Sequence, residues 1–100
     1  MTVEQLNTIY KQMEGEEHET MVAKGDEYTN DEDRLANFKR NAKLTGMTPI
    51  QVWSIYFMKH IDSIMSYVKT GKTQTEDIRL RIMDARNYLA LLRCLIEEDK

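Results

Sequence analysis

The chain of 100 residues is poor in the residues that punctuate or cross-link a fold: one proline, one cysteine, four glycines and two histidines. A lone cysteine, Cys94, excludes an intrachain disulfide. Set in an apolar run, it reads as a small buried hydrophobe, in keeping with a reducing, cytoplasmic compartment. His18 and His60 cannot supply a histidine-rich metal site, and neither CxxC nor HExxH spacing occurs. His60 falls beside the apolar face of a helix, where a packed, hydrogen-bonded ring is the expected state. With no glycine-rich phosphate loop and no serine in a nucleophile elbow, P-loop and serine-hydrolase chemistry fall away. No apolar run approaches the roughly 18 residues that cross a bilayer, and the acidic N-terminal stretch is unlike a signal peptide. Strand-like alternation, internal repeats and low-complexity tracts are also missing.

What is present is helical patterning. Apolar residues make up 41% of the chain and charged residues 31%, too apolar a balance for disorder. One domain is expected, and a chain this short covers its apolar surface poorly alone, so a homodimer or higher homo-oligomer is expected as well. The clearest segment is EDIRLRIMDARNYLALLRCLIEE near the end. There Ile78, Ile82, Ala85, Leu89, Leu92 and Ile96 recur every three or four residues as a buried stripe, with Asp77, Arg81, Asp84 and Tyr88 on a neighbouring one.

Four helices follow, over residues 3–24, 31–45, 49–70 and 75–98. The first carries Val3, Leu6, Ile9, Tyr10 and Met13 at helical spacing, and Gly15 leaves open whether it runs on or breaks. Lys24 to Asp33, KGDEYTNDED, reads as a turn, with Asn30 or Asp31 capping the next helix. In that second helix Leu35, Phe38, Ala42 and Leu44 point inward, and Gly46 stops it. Thr48, Pro49 and Gln51 supply an N-cap, a first-turn proline and a capping-box partner for the third helix. Ile50, Trp53, Phe57, Ile61, Ile64 and Val68 form its seam, and Gly71 ends it. Thr73 with Glu76 repeats the capping-box pattern before the fourth helix, which returns antiparallel to the third. The methionines Met13, Met21, Met47, Met58, Met65 and Met83 read as fillers of a helical core.

Charge is segregated along the chain. Residues 1–33 hold ten acids and two bases, whereas residues 34–72 hold one acid and seven bases. A net charge of −3 does not suit binding to a DNA duplex. Two explanations of the basic middle stand side by side. Arg34, Lys39, Arg40, Lys43 and Lys59 form an anion-binding surface, or the acidic first helix packs beside the basic second one. Acids converging from facing helices could hold Mg²⁺, an ion that takes oxygen ligands, although solvated faces with local ion pairs give the same spacings.

The succession KGDEY, DRLANF, a G-x-T-P helix start, KHIDSI and RIMDARNYLALL, over roughly residues 17–96, resembles small phage and bacterial proteins related to the MazG-like all-α nucleoside-triphosphate pyrophosphatases. That resemblance implies an all-α, four-helix bundle-like domain completed by oligomerisation, with a nucleotide cleft between helices and a location in the cytoplasm, the host's if phage-encoded. In the family, Mg²⁺ is held by an EExxE motif and a later ExxD motif. Here Glu16 and Glu17 open the first, but Thr20 stands where its last acid belongs; Asp84 closes the second, but Arg81 opens it. Replacing an acid with a guanidinium weakens a Mg²⁺ site and suits direct phosphate contact.

Three readings follow. In the first, the chain binds, and holds without hydrolysis, a nucleotide, cyclic nucleotide or other phosphorylated ligand through Lys24, Tyr28, Arg34, Asn37, Lys59, Arg81, Asn87 and Tyr88, with no cofactor. In the second it is a Mg²⁺-dependent nucleotide pyrophosphohydrolase, with Glu17, Asp62 and Asp84 as metal ligands. In the third it is a helical interaction module without a small ligand.

Overall fold

The computed structural model describes the backbone of residues 1–28, 33–73 and 75–99, with side chains described outside 24–28. Every regular element among these residues is helical: α1 (Val3–Tyr28), α2 (Ala36–Thr45), α3 (Pro49–Thr70) and α4 (Ile78–Glu98). None of the described helices is long and apolar enough to cross a membrane.

Local chemistry accounts for most helix ends. At α3 the Thr48 side chain accepts from the Gln51 N–H at 3.1 Å, while the Gln51 side chain accepts from the Thr48 N–H at 2.9 Å, with Pro49 at the first turn. Gly46 and Gly71 end α2 and α3 in the left-handed region, at φ 73° and 71°, where a Cβ would be strained. α4 departs from expectation. Its N-cap is Asp77, whose Oδ1 accepts from the Arg79 N–H at 2.9 Å. Thr73 instead donates to the Glu76 carbonyl within the connection. A carboxylate two residues before the first free N–H outcompetes a hydroxyl further back.

The turn expected from Lys24 is also corrected: α1 continues through Gly15 and on to Tyr28. Each of its two glycines, Gly15 and Gly25, costs a helix only about 1 kcal/mol relative to alanine, and no proline interrupts the segment. α2 begins at Ala36, five residues later than expected; Asn30 and Asp31 lie outside the described residues. Its start is held by Asp33, whose Oδ1 accepts from the Leu35 N–H at 2.9 Å and whose carbonyl accepts from Ala36 at 3.2 Å.

α3 and α4 pack lengthwise as an antiparallel pair, α2 lies on α3, and α1 lies on α4. The buried core is small: Leu35 just before α2, Phe38 and Ala42 from α2, Val52 and Trp53 from α3, and Leu95 from α4, with Phe57, Tyr88 and Leu91 against them. Trp53 stacks on Phe57 at 4.7 Å and donates its Nε1–H to the Tyr88 carbonyl at 2.6 Å, fixing α3 on α4.

Several side chains sit elsewhere than their spacing predicts. Leu44 is 77% exposed, because the face of α2 that meets α3 is centred on Phe38 and Ala42, well over a quarter-turn away. On α4, Leu89 and Ile96 are exposed while Ala85, Leu91 and Leu95 turn inward, so the buried stripe is rotated and Tyr88 lies on it. Val68 is exposed near the end of α3. Met58 and Met65 are more than half exposed, so they fill no gap in this core, and Cys94 is exposed rather than buried. The acidic α1 rests on α4 rather than beside the basic α2.

Candidate functional site

α2 is packed on α3 and α3 on α4, and the space left between α2 and α4 is a groove of about 950 Å³, large enough for a nucleotide-sized molecule. α2 contributes Asn37, Arg40 and Asn41, which share one face at i, i+3 and i+4. Just before that helix come Asp33 and Arg34; α3 adds Tyr56 and His60, and α4 adds Asp84, Asn87, Tyr88 and Leu91.

These side chains are partly preorganised. Asn41 Nδ2 donates to the Tyr56 hydroxyl at 2.8 Å, and Arg40 donates to Asn37 Oδ1 at 2.7 Å. The His60 ring packs on Tyr88 with centroids 4.5 Å apart, and Tyr88 meets Phe38 edge-on at 6.3 Å. Flat aromatic surface is thus offered beside amide donors and acceptors.

At one end, Lys39 Nζ bridges Asp33 at 2.7 Å and Glu98 at 2.9 Å, tying α2 to the end of α4. The Lys39 ammonium holds the Asp33 carboxyl below its usual range, helped by the Leu35 N–H, and the two carboxylates raise the Lys39 ammonium above its own. Beside that bridge the lining carries the guanidinium groups of Arg34 and Arg40, both exposed, and the Asp84 carboxylate.

Of the residues proposed from sequence, Arg34, Asn37, Asp84, Asn87 and Tyr88 meet in this groove. Lys59 and Asp62 are exposed on α3 and line no part of it. Arg81 lies outside as well. One of its terminal nitrogens is 3.4 Å from the Thr75 hydroxyl, and its buried Nε meets no acceptor among the described residues. The side chains of Lys24 and Tyr28 lie outside the described residues. Arg40, read from sequence as part of an anion-binding surface, lines the groove too, and the residues missed were Asn41, Tyr56 and His60. The polar spacing of Asn37, Arg40 and Asn41 was the available signal; nothing local announces that Tyr56 faces it.

Glu17 has a different task. It is only 12% exposed, and its Oε1 lies 2.9 Å from Nε of Arg86, itself 29% exposed, without the alignment of a hydrogen bond. The Arg86 guanidinium also sits 4.9 Å from the centre of the Tyr10 ring, so one α4 arginine holds α1 through charge and a cation–π contact. The proposed Mg²⁺ ligands are therefore dispersed: Glu17 on the α1–α4 contact, Asp62 on the exposed side of α3, and Asp84 in the groove. Among the described residues no three His, Cys, Asp or Glu side chains come together as a metal site, so these acids do not fit one Mg²⁺ coordination sphere. No protein-family model, curated protein or solved structure matches this chain.

Proposed function

We propose that the groove between α2 and α4 binds a nucleotide, cyclic nucleotide or other phosphorylated small molecule and holds it without hydrolysis. The supporting observation is the meeting in one groove of two rim arginines, Arg34 and Arg40, with the His60–Tyr88 aromatic pair and the amides of Asn37, Asn41 and Asn87. Arginine meets phosphate with paired N–H donors, aromatic faces accept a base, and amides and Asp84 can read its edge. On this reading the chain is a MazG-like protein of the small phage or bacterial type, with a degenerate metal motif and a helical bundle completed by self-association. Binding is favoured over the pyrophosphohydrolase alternative because that reaction needs Mg²⁺ on several converging acids, and Asp84 is the one proposed ligand that lines the groove.

Thermal-shift and calorimetric titrations with nucleoside mono- and triphosphates and cyclic dinucleotides, in chelator, test the proposal. A bound ligand raises Tm with its concentration. Binding is expected to persist without Mg²⁺, to weaken with salt, to lose about tenfold on Arg40→Gln, and to leave the nucleotide intact. No shift with any nucleotide would turn the reading to an interaction module. Mg²⁺-dependent pyrophosphate release that Asp84→Asn abolishes would turn it to the enzyme.

A further inference from the structure

The α2 and α4 walls of the groove carry different chemistry. On the α2 side stand Arg34 and Arg40, and the amides there are engaged within the protein: Asn37 accepts from Arg40, and Asn41 donates to Tyr56. The α4 wall presents Asp84, Asn87 and Tyr88 at i, i+3 and i+4, on one face, and none of them is buried. Residues so spaced are neighbours, about 5–6 Å apart at Cβ. Of the three carboxylates in the lining, Asp33 and Glu98 share Lys39 at the C-terminal end of α4, so Asp84 is the acid beside the His60–Tyr88 aromatic pair.

A carboxylate next to an aromatic face discriminates between bases. Ionised, it only accepts hydrogen bonds, through two oxygens side by side. Among the common bases guanine alone has two adjacent donors on its pairing edge, N1–H and the 2-amino group, and it meets a carboxylate as a guanidinium does, through two parallel bonds. Its O6, next in line, accepts, and an amide such as that of Asn87 donates to it. Adenine and cytosine set a ring-nitrogen acceptor beside their amino group, and uracil flanks its one N–H with two carbonyls, so each turns a lone pair towards a carboxylate oxygen. Asp84 is engaged within the protein as well, and a carboxylate, with about four lone-pair sites, serves both. We propose that the groove selects guanine nucleotides: Asp84 determines the choice, Asn87 meets O6, and the His60–Tyr88 pair is the surface on which the base lies. This rests on the nucleotide binding proposed above and narrows it to one base. With the base on the α4 wall, the phosphate is left to the guanidinium groups of the α2 wall.

Isothermal titration calorimetry of the full chain with GTP, inosine triphosphate (ITP) and ATP, in chelator and at fixed ionic strength, tests the choice of base. All three carry the same triphosphate, and ITP differs from GTP only in lacking the 2-amino group. GTP is expected to bind about tenfold tighter than ITP, and ATP more weakly still. In Asp84→Asn, with folding checked by circular dichroism, the advantage of GTP over ITP is expected to vanish, because a carboxamide offers one acceptor where the carboxylate offers two. The wild-type comparison of GTP with ITP changes the ligand alone, so it decides guanine selection without relying on the variant to fold. ITP or ATP binding as tightly as GTP, or a preference for GTP over ITP that survives Asp84→Asn, would overturn guanine selection by Asp84 while leaving nucleotide binding standing. Binding of none of the three would overturn the nucleotide reading and this inference with it.

Discussion

The two helices that flank α4 are attached to it by different physics. α3 is held by apolar burial around Trp53, Val52 and Leu95, with the indole N–H on the Tyr88 carbonyl. α1 is held by Arg86, which meets the Glu17 carboxylate and the Tyr10 ring, with Met13 and Thr20 filling beside it. The first contact is non-directional and scales with area; the second depends on one cation whose removal leaves a carboxylate largely withdrawn from water. α2 to α4 therefore form the cohesive unit that carries most of the groove, and α1, attached by a polar joint, adds Met21 and Val22 to its lining.

The comparison is broken most forcefully at Trp53. Trp53→Ala removes the largest core side chain and the bond to Tyr88, and should cost about 3–5 kcal/mol, enough to unfold much of a chain this small. Urea denaturation followed by circular dichroism would measure it as a cooperative loss of all helical signal.

Arg86→Met keeps the bulk and removes the charge. We expect a cost of about 2 kcal/mol, confined to α1 because Glu17 loses its partner there. Amide hydrogen exchange should accelerate across α1 and stay unchanged in α3. Uniform acceleration along the chain would show that the two attachments are not separate units.

The smallest effect tests helix ends rather than interfaces. The Arg79 guanidinium and its backbone N–H hold the Asp77 carboxyl down at about 2. A carboxyl lowered in the folded state stabilises above its ordinary range near 4 and loses that contribution as pH falls towards the folded value. Asp33, lowered by Lys39, acts in the same direction. Between about pH 6 and about pH 3 the urea midpoint should therefore fall, and Asp77→Asn should make that fall slightly shallower. Because Asp77 is a surface group and asparagine also caps well, the change is expected to be small. A steeper fall in the variant would contradict the capping role.

The charge segregation along the chain suits a paired first and second helix as one of its two explanations. The structure shows why it fails: the apolar stripe of α1 ends in Met13, Glu17 and Thr20, and only α4 offers Met83 and Arg86 to receive them. Four of the eight ligand-binding residues proposed from sequence line the groove, joined by Asp84 from the proposed metal set, because Asp84, Asn87 and Tyr88 share a face of α4 and Asn37 follows Arg34 closely at the start of α2. Arg81 shares a face with Asp84 and Tyr88 but sits one helical turn before them, outside the groove and beside Thr75.

By itself, the sequence determined that the chain is helical and where α2 and α3 stop and α3 starts. Those signals are short-ranged: a glycine that can take positive φ, and a threonine, proline and glutamine within four residues of each other. The tertiary structure alone decided the rotation of α4 that buries Leu91 and Leu95 and exposes Leu89 and Ile96. It also decided the docking of α1 on α4 and the meeting of Tyr56 with Asn41. An apolar stripe spans 100° or more of a helix, so its spacing leaves the facing angle free, and that angle is set by the side chains across the contact.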